Sequence, residues 1–319
     1  MTVLYFCPDF PSPSGGTRTL YQHVRHLNDS GIDACIVHHR SGFKLSWHEL
    51  SVPVRWLGNR FTCHHEDILV FPEGLVELMK TFRATSHTKI VIALSWSYIY
   101  PALAEGEHWR QFGIQDVLTP CRRIQSFVRW TMNLPATLFY HAIDRHRYQP
   151  AEAKENLVVY SARKSDAGTN LEKISRYHPI LQQLSWQAVD ELPESDYARI
   201  LSKARFFLAC GIQEGLNVSV LEAMASGCIV MGFNGGGSDY MTDANALLVE
   251  NGDYFGLGLR LEEACRRLSQ DPTAFDALIH RARQTAEAYM DRDRERKSIT
   301  AFFAERLYER SLSTATDKL

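Results

Sequence analysis

Glu214 and Glu222 are the residues from which chemistry can be argued first. Both lie in the stretch 204–237. An apolar run (204–210) leads into a polar, glycine-punctuated segment (211–217). A short helical segment (218–226) stopped by Gly227 follows, then a second apolar run (228–233) and the glycines Gly235, Gly236 and Gly237. The apolar runs have the length and composition of buried strands, and Gly227 stands where helices end. Two buried strands joined by a helix make a βαβ unit, so the sheet is expected to be parallel. A loop at the carboxyl end of a parallel strand opens on the ligand crevice of such sheets. Asn217 precedes a helix whose first amides, those of Val218 and Ser219, are free donors suited to a phosphate. Glu222, one turn further in, can accept from the paired hydroxyls of a ribose. Glu214, nearer the mouth, can accept from the hydroxyls of a sugar. On the residues alone, a solvated loop acid and a helix-face acid account for the pair equally well.

Arg163 and Lys164 follow an expected strand at 156–162. Cations at a strand tip, opposite a helix N-terminus, would neutralise a diphosphate leaving group; two plain surface cations are the alternative. Nearer the start, a strand at 3–7 is followed by a loop with Pro8, Pro11 and Pro13 that ends in Gly15 and Gly16. A helix is expected at 17–27, with Leu20, Val24 and Leu27 on one face, and a strand at 34–38. This is the opening of a Rossmann-like half. Gly15-Gly16 is not Gly-x-Gly-x-x-Gly, which argues against a nicotinamide site. Two glycines still let a ligand approach the backbone closely, although a plain turn explains them too.

The elements that must position these groups need room, and 319 residues suffice for two domains with cores of their own. Apolar residues make up 45% and charged residues 23%, the balance of an ordinary globular protein. A net charge of −2 and the absence of a basic tail argue against a nucleic-acid partner. Seven scattered cysteines with no Cys-x-x-Cys read as the reduced pattern of a cytoplasmic protein. No apolar run approaches a membrane span, and the chain enters a strand at once, so no signal peptide is expected. His38-His39 and His64-His65 lack helical spacing and a carboxylate partner, which disfavours a metal site.

Further strands are expected at 67–71, 89–94, 116–119, 137–141, 186–189 and 246–249. Helices are expected at 75–82, 121–130, 170–184 (interrupted by Pro179), 195–203, 254–268 and 274–290. Residues 41–66 are left unassigned. The helix 121–130 turns Ile124, Phe127 and Val128 inward and Arg122, Arg123 and Arg129 outward. Such a helix can lie on anionic lipid, but a solvated outer face is the commoner explanation. A last helix, about 295–319, carries Ile299, Phe302, Phe303 and Leu307 on one apolar face that needs cover.

The string from Glu214 through Glu222 to Gly227 resembles the E-x7-E signature of retaining GT-B glycosyltransferases, specifically the large GT4-type family. The match includes the Glu-Ala-Met-Ala-Ser-Gly tail. Gly235 to Asp239 resembles that family's Gly-Gly-x-Pro-Glu loop, with Ser238 and Asp239 in place of Pro and Glu. The segment 138–150 resembles its interdomain strand and linker, with His141-Ala142 replacing Asn-Gly. The resemblance implies an α/β architecture of two Rossmann-like domains facing across a cleft. Residues 1–150 would form an acceptor domain and 151–294 a somewhat trimmed donor domain, with the last helix crossing back to the first. It implies a nucleotide-sugar donor and a glycan, lipid-linked or small-molecule acceptor, in a setting such as polysaccharide biosynthesis. Glu214 would meet the sugar and Glu222 the ribose. Arg163, Lys164 and the amides near Asn217, Val218 and Ser219 would hold the diphosphate. Gly15-Gly16 would meet the diphosphate and acceptor. His141 would lie near the cleft without an assigned role. With the leaving diphosphate held by protein cations and amides, no metal or other cofactor is required. The leaving phosphate itself can take the acceptor proton. Location would be cytoplasmic, with peripheral contact at the inner membrane face left open. A nucleotide-sugar epimerase and a non-catalytic binding subunit are the two rival readings.

Overall fold

The computed structural model describes residues 1–58 and 61–316. The last three residues of the expected helix 295–319 therefore lie outside the described residues. The chain divides into two compact units, one of Met1–His141 completed by the C-terminal residues from Arg292, the other of Ala142–Asp291. The division falls earlier than Pro150 because Ile143 and Tyr148 are buried in the core of the second unit, among Val159, Phe207 and Leu221. The amide of Ile143 donates to the carbonyl of Tyr289 at 2.8 Å.

The first unit runs β1 (Val3–Phe6), α1 (Gly15–Asp29), β2 (Ala34–His38), β3 (Val54–Trp56), β4 (Ile68–Pro72), α2 (Val76–Thr81), β5 (Thr88–Ile92), β6 (Asp116–Thr119), α3 (Arg122–Met132) and β7 (Ala136–Leu138). Its seven strands are parallel, in the order β3-β2-β1-β4-β5-β6-β7. The central strands are apolar throughout because both faces are covered. Along β1, Leu4 and Phe6 enter one core layer, and Val3 and Tyr5 the other. The helix after β1 starts earlier than its apolar stripe suggests, so Gly15 and Gly16 form its first turn. Strand β3 lies inside the stretch left unassigned. It has three half-buried or exposed residues at the sheet edge, too short to leave a periodic signal.

The second unit runs β8 (Glu155–Tyr160), α4 (Ala167–Ser175), β9 (Ser185–Ala188), α5 (Glu194–Lys203), β10 (Ala204–Ala209), α6 (Val218–Ala225), β11 (Ile229–Gly232), β12 (Leu247–Leu248), α7 (Tyr254–Gln270) and α8 (Asp276–Glu287). Its sheet has five parallel strands in the order β12-β11-β10-β8-β9. The helix expected to reach 184 ends at Ser175, and only a turn at Leu181–Gln183 follows. The final helix, α9 (Arg292–Thr316), belongs to the first unit. Its Ile299, Phe302 and Phe303 are buried against β1 and α1.

Each sheet has one place where the chain, having built strands to one side, returns to build on the other. In the first unit this lies between β1 and β4, and in the second between β8 and β10. Ligands of open α/β sheets bind outside the carboxyl ends of the strands at such points.

Candidate active site

The carboxyl ends of β8 and β10 bring together the residues singled out for chemistry. Lys164, just beyond β8, donates from Nζ to Glu214 Oε1 at 2.5 Å, across from the loop that follows β10. Sequence reasoning assigned these two residues separately and did not pair them. Glu214 is 8% exposed, and Lys164 is half-buried. Arg163 is exposed beside them. The turn that presents both cations is tied down by Asp190, at the end of β9. Asp190 accepts from Ser161 Oγ and from the Ala162 amide, each at 2.6 Å, and from the Arg163 amide at 3.4 Å. Asp190 was missed in the sequence, where a lone acid after a short strand carries no sign of its partner.

Three glycines make room for Glu214. A Cβ on Gly211 would land on the Glu214 carboxylate, and one on Gly237 would land on the Glu214 carbonyl oxygen. One on Gly235 would sit 2.7 Å from Glu214 Cβ. Gly235 also has φ +64°, a conformation that L side chains rarely adopt. Its carbonyl accepts the Glu214 amide at 2.8 Å.

Helix α6 starts from Asn217 with no side-chain cap, so the amides of Val218 and Ser219 are not spoken for by a capping group. The Asn217 carbonyl accepts from the Tyr240 hydroxyl at 2.5 Å. Burial pushes the Tyr240 phenol well up, and the charges of both Glu214 and Glu222 add to the shift. This tyrosine therefore senses both acids. Glu222 is 8% exposed, one turn into α6. Its other aromatic neighbour is Tyr197 on α5, whose phenol is likewise pushed up by burial first and by Glu222 second.

The remaining sequence candidates belong to the first unit. Gly15 and Gly16 open α1 at the β1/β4 crevice. A Cβ on Gly15 would meet nothing within 4 Å, and one on Gly16 would make ordinary contact with Leu94 Cδ1 and Ser14 Oγ, each at 3.6 Å. His141 is buried, with Nδ1 3.7 Å from Glu295 Oε1 on α9. Glu295 also accepts from Gln22 Nε2 at 2.5 Å and lies 2.8 Å from His26 Nε2. His141 thus joins a buried cluster linking α1 and α9, and burial lowers its pKa. His38, described above as lacking a carboxylate partner, has one: Asp9 Oδ1 lies 3.0 Å from its Nδ1.

A further acid, Glu73, sits at the carboxyl end of β4, on the same crevice as Gly15. It is buried, and its Oε1 accepts the Ser95 amide at 2.7 Å. Burial pushes its carboxyl up to about 7, against the pull of nearby backbone amides. In the sequence it stood within Pro-Glu-Gly, which reads only as a strand terminator. Among the described residues, no three His, Cys, Asp or Glu side chains group to hold a metal, and no helix is long and apolar enough to cross a membrane.

Comparison with known proteins agrees with this geometry. Residues 133–271 match a family described as glycosyl transferases group 1. An alpha-1,6-glucosyltransferase of Actinobacillus pleuropneumoniae is 24% identical over 275 residues, covering 80% of this chain and 79% of the relative. Among solved structures, Anabaena HepE in complex with UDP-glucose aligns with a TM-score of 0.71 at 13% identity, over 96% of this chain and all of that one. Sucrose-phosphate synthase of Thermosynechococcus elongatus aligns with a TM-score of 0.69 at 12% identity, over 98% of this chain and 99% of that one. The matched domain, the curated relative and the shared fold together support a glycosyltransferase of the GT-B fold.

Proposed function

We propose that the chain is a retaining glycosyltransferase of the GT4 type, moving a sugar from a nucleotide-sugar donor to a hydroxyl of a glycan, lipid-linked or small-molecule acceptor. The observation that carries the reading is the Lys164–Glu214 pair, 2.5 Å apart at the β8/β10 crevice beside the uncapped start of α6. Each charge neutralises the other in the free protein, so neither is buried alone. An arriving diphosphate draws Lys164 to itself, with Arg163 and the amides of Val218 and Ser219. Glu214 is thereby released to accept from the sugar hydroxyls, while Glu222 accepts from the ribose. The bond from the anomeric carbon to the diphosphate breaks as the acceptor hydroxyl attacks from the same face. Negative charge grows on the leaving phosphate, where preorganised cations and amides stabilise it best. The leaving phosphate takes the acceptor proton, so this route needs no side-chain base and no metal. On the first unit, Gly15 and Gly16 leave the start of α1 open to a ligand.

The glucosyl chemistry of the curated relative and the UDP-glucose bound by the Anabaena protein make UDP-glucose the first donor to try. Thermal shift with UDP, GDP, ADP and their sugars, with and without EDTA, tests the donor site. A shift with one nucleotide, unchanged by EDTA and lost in Glu222→Ala, supports the reading. Transfer with the donor's anomeric configuration kept, read by NMR of the product, completes it. An epimerised nucleotide sugar would favour an epimerase, and no shift at all a non-catalytic subunit.

We also propose a peripheral contact of α3 with anionic lipid at the inner membrane face. Arg122 and Arg123 stand in its first turn with no acid there, against the helix dipole. Trp130 is 81% and Tyr98 60% exposed, and Phe127 packs near Trp96, Tyr100 and Trp130. Exposed indole and phenol beside unopposed arginines suit a charged bilayer surface. Cosedimentation with vesicles containing phosphatidylglycerol, lost in Arg122→Ala/Arg123→Ala/Trp130→Ala, is the expected result; equal recovery without vesicles would refute it.

A further inference from the structure

The turn that carries Arg163 and Lys164 is gripped from both sides. Strand β8 lies between β10 and β9 in the sheet, and the turn begins just beyond its last residue, Tyr160. On the β10 side, Lys164 Nζ meets Glu214 Oε1. On the β9 side, the register pairs Tyr160 with Ala188, and the Val189 amide donates to the Tyr160 carbonyl at 3.0 Å. The two segments therefore leave the sheet side by side. Asp190 reaches across to accept from the Ser161 hydroxyl and from the amides of Ala162 and Arg163. Glu191, next in the chain, has φ +65°, a left-handed conformation that is unfavourable for a residue with a side chain. Backbone strain of this kind gathers where a structure must aim a functional group. Asp190 also works against its surroundings, since a carboxylate beside a phosphate grip repels the anion. The fold nonetheless keeps it there, tied to the backbone under both cations.

We propose that Asp190 is the fixed anchor of the donor site: a positioning residue that holds the 161–164 turn in place while Lys164 changes partner from Glu214 to the diphosphate. The two grips differ in kind. The contact to Glu214 is made by the far end of a long, flexible side chain, and an arriving anion competes for it. The contacts to Asp190 are made by two backbone amides and a short hydroxyl, and none of them has to break when Lys164 turns to the phosphate. Hydrogen bonds to an ionised carboxylate are the stronger kind, and its lone pairs suffice for three donors. The backbone under Arg163 and Lys164 thus stays ordered through the exchange, and binding does not bear the entropy of ordering it. Asp190 acts through those two cations and touches no part of the donor. This assignment rests on the nucleotide-sugar reading of the site.

Calorimetric titration of wild type, Asp190→Ala and Asp190→Asn with UDP, GDP and ADP tests it. For the nucleotide that wild type binds, Asp190→Ala is expected to weaken affinity about tenfold, because the turn loses its anchor. Asp190→Asn is expected to stay within about twofold of wild type, since its carbonyl oxygen can accept both amides and its NH2 can donate to the Ser161 hydroxyl. In a Lys164→Ala background the step from Asp190 to alanine is expected to shrink, because the anchor and the cation act as one unit. Should Asp190→Ala fail to fold, Ser161→Ala removes one of the anchoring contacts and is expected to weaken binding about threefold. Unchanged affinity in the variant that folds would overturn the proposal, with the donor site intact. Equal loss in Asp190→Asn would make the charge and not the anchoring the cause, and would overturn it as well. So would a loss of full size in the Lys164→Ala background, which would make Asp190 a structural residue. A wild type that binds none of the three nucleotides would overturn the donor reading itself, and this one with it.

Discussion

Lys164 and Glu214 show how one contact can serve two states. A carboxylate with 8% exposure needs a counter-charge, and Lys164 supplies it at 2.5 Å. Because the lysine is itself half-exposed, water screens the pair and its contribution to stability is small. Lys164→Ala is expected to cost about 1 kcal/mol in urea unfolding. The same substitution is expected to weaken UDP binding by more than about tenfold, with Lys164→Arg recovering part of it, since a charge-assisted contact to phosphate is lost. Titration calorimetry on the three proteins separates the two effects. Glu73 makes an opposite case. Its folded pKa of about 7 lies above the ordinary 4.5, so the folded state keeps a proton that the unfolded chain gives up. The associated stability is full below 4.5 and lost as pH rises toward 7. Wild type should therefore lose up to about 3 kcal/mol between pH 4.5 and 8 from this group alone, and Glu73→Gln should not. Parallel denaturant melts that follow the same pH course in both proteins would contradict the assignment.

At the scale of elements, glycines divide into those that the fold needs and those that only a ligand could need. Gly237 lies against the backbone of Glu214 and Gly215, which cannot move aside as a flexible side chain can. Gly237→Ala is expected to displace the Glu214 loop, to cost about 2 kcal/mol or more, and to abolish donor binding. Gly15 meets nothing and sits in the first turn of α1, where alanine is the better helix former. Gly15→Ala is expected to raise stability by about 0.5 kcal/mol or leave it unchanged, so any activity lost with it reports on ligand approach. The same division marks what the sequence disclosed. The buried strands β1, β4, β10 and β11 are runs of apolar residues, and the loop and helix between β10 and β11 follow from their glycines. The edge strand β3 is too short to announce itself. The start of α1 is hidden because helices begin before their apolar stripe does. Partnerships across the sheet, such as Lys164 with Glu214 and Asp190 with the 161–163 turn, are set by strand order, and that of His141 with Glu295 by the return of α9 to the first unit. No local pattern encodes that order.

At the scale of the molecule, the first unit is discontinuous in sequence. Helix α9 supplies three of its buried apolar residues, and Arg306 on that helix pairs with Asp116 of β6 at 3.1 Å. Phe303 is fully buried, and Phe303→Ala is expected to cost about 3–5 kcal/mol. The loss should fall on the first unit. Hydrogen exchange would then rise in β1 and α1 while the 142–291 core keeps its protection. Exchange that rises equally in both units would show them to unfold as one.

The discontinuity also sets an order of assembly at the ribosome. The middle of the chain can close its core as soon as residue 291 has emerged, whereas the beginning must wait for residues 299–303. Until then the face of β1 and α1 meant for α9 stays uncovered, the kind of surface that chaperones bind and proteases find. A premature stop between 292 and 299 would yield a chain with its middle folded and its first unit open. Such a product would expose apolar surface that the closed first unit buries, so α9 ties the closing of that unit to the synthesis of residues lying beyond the second.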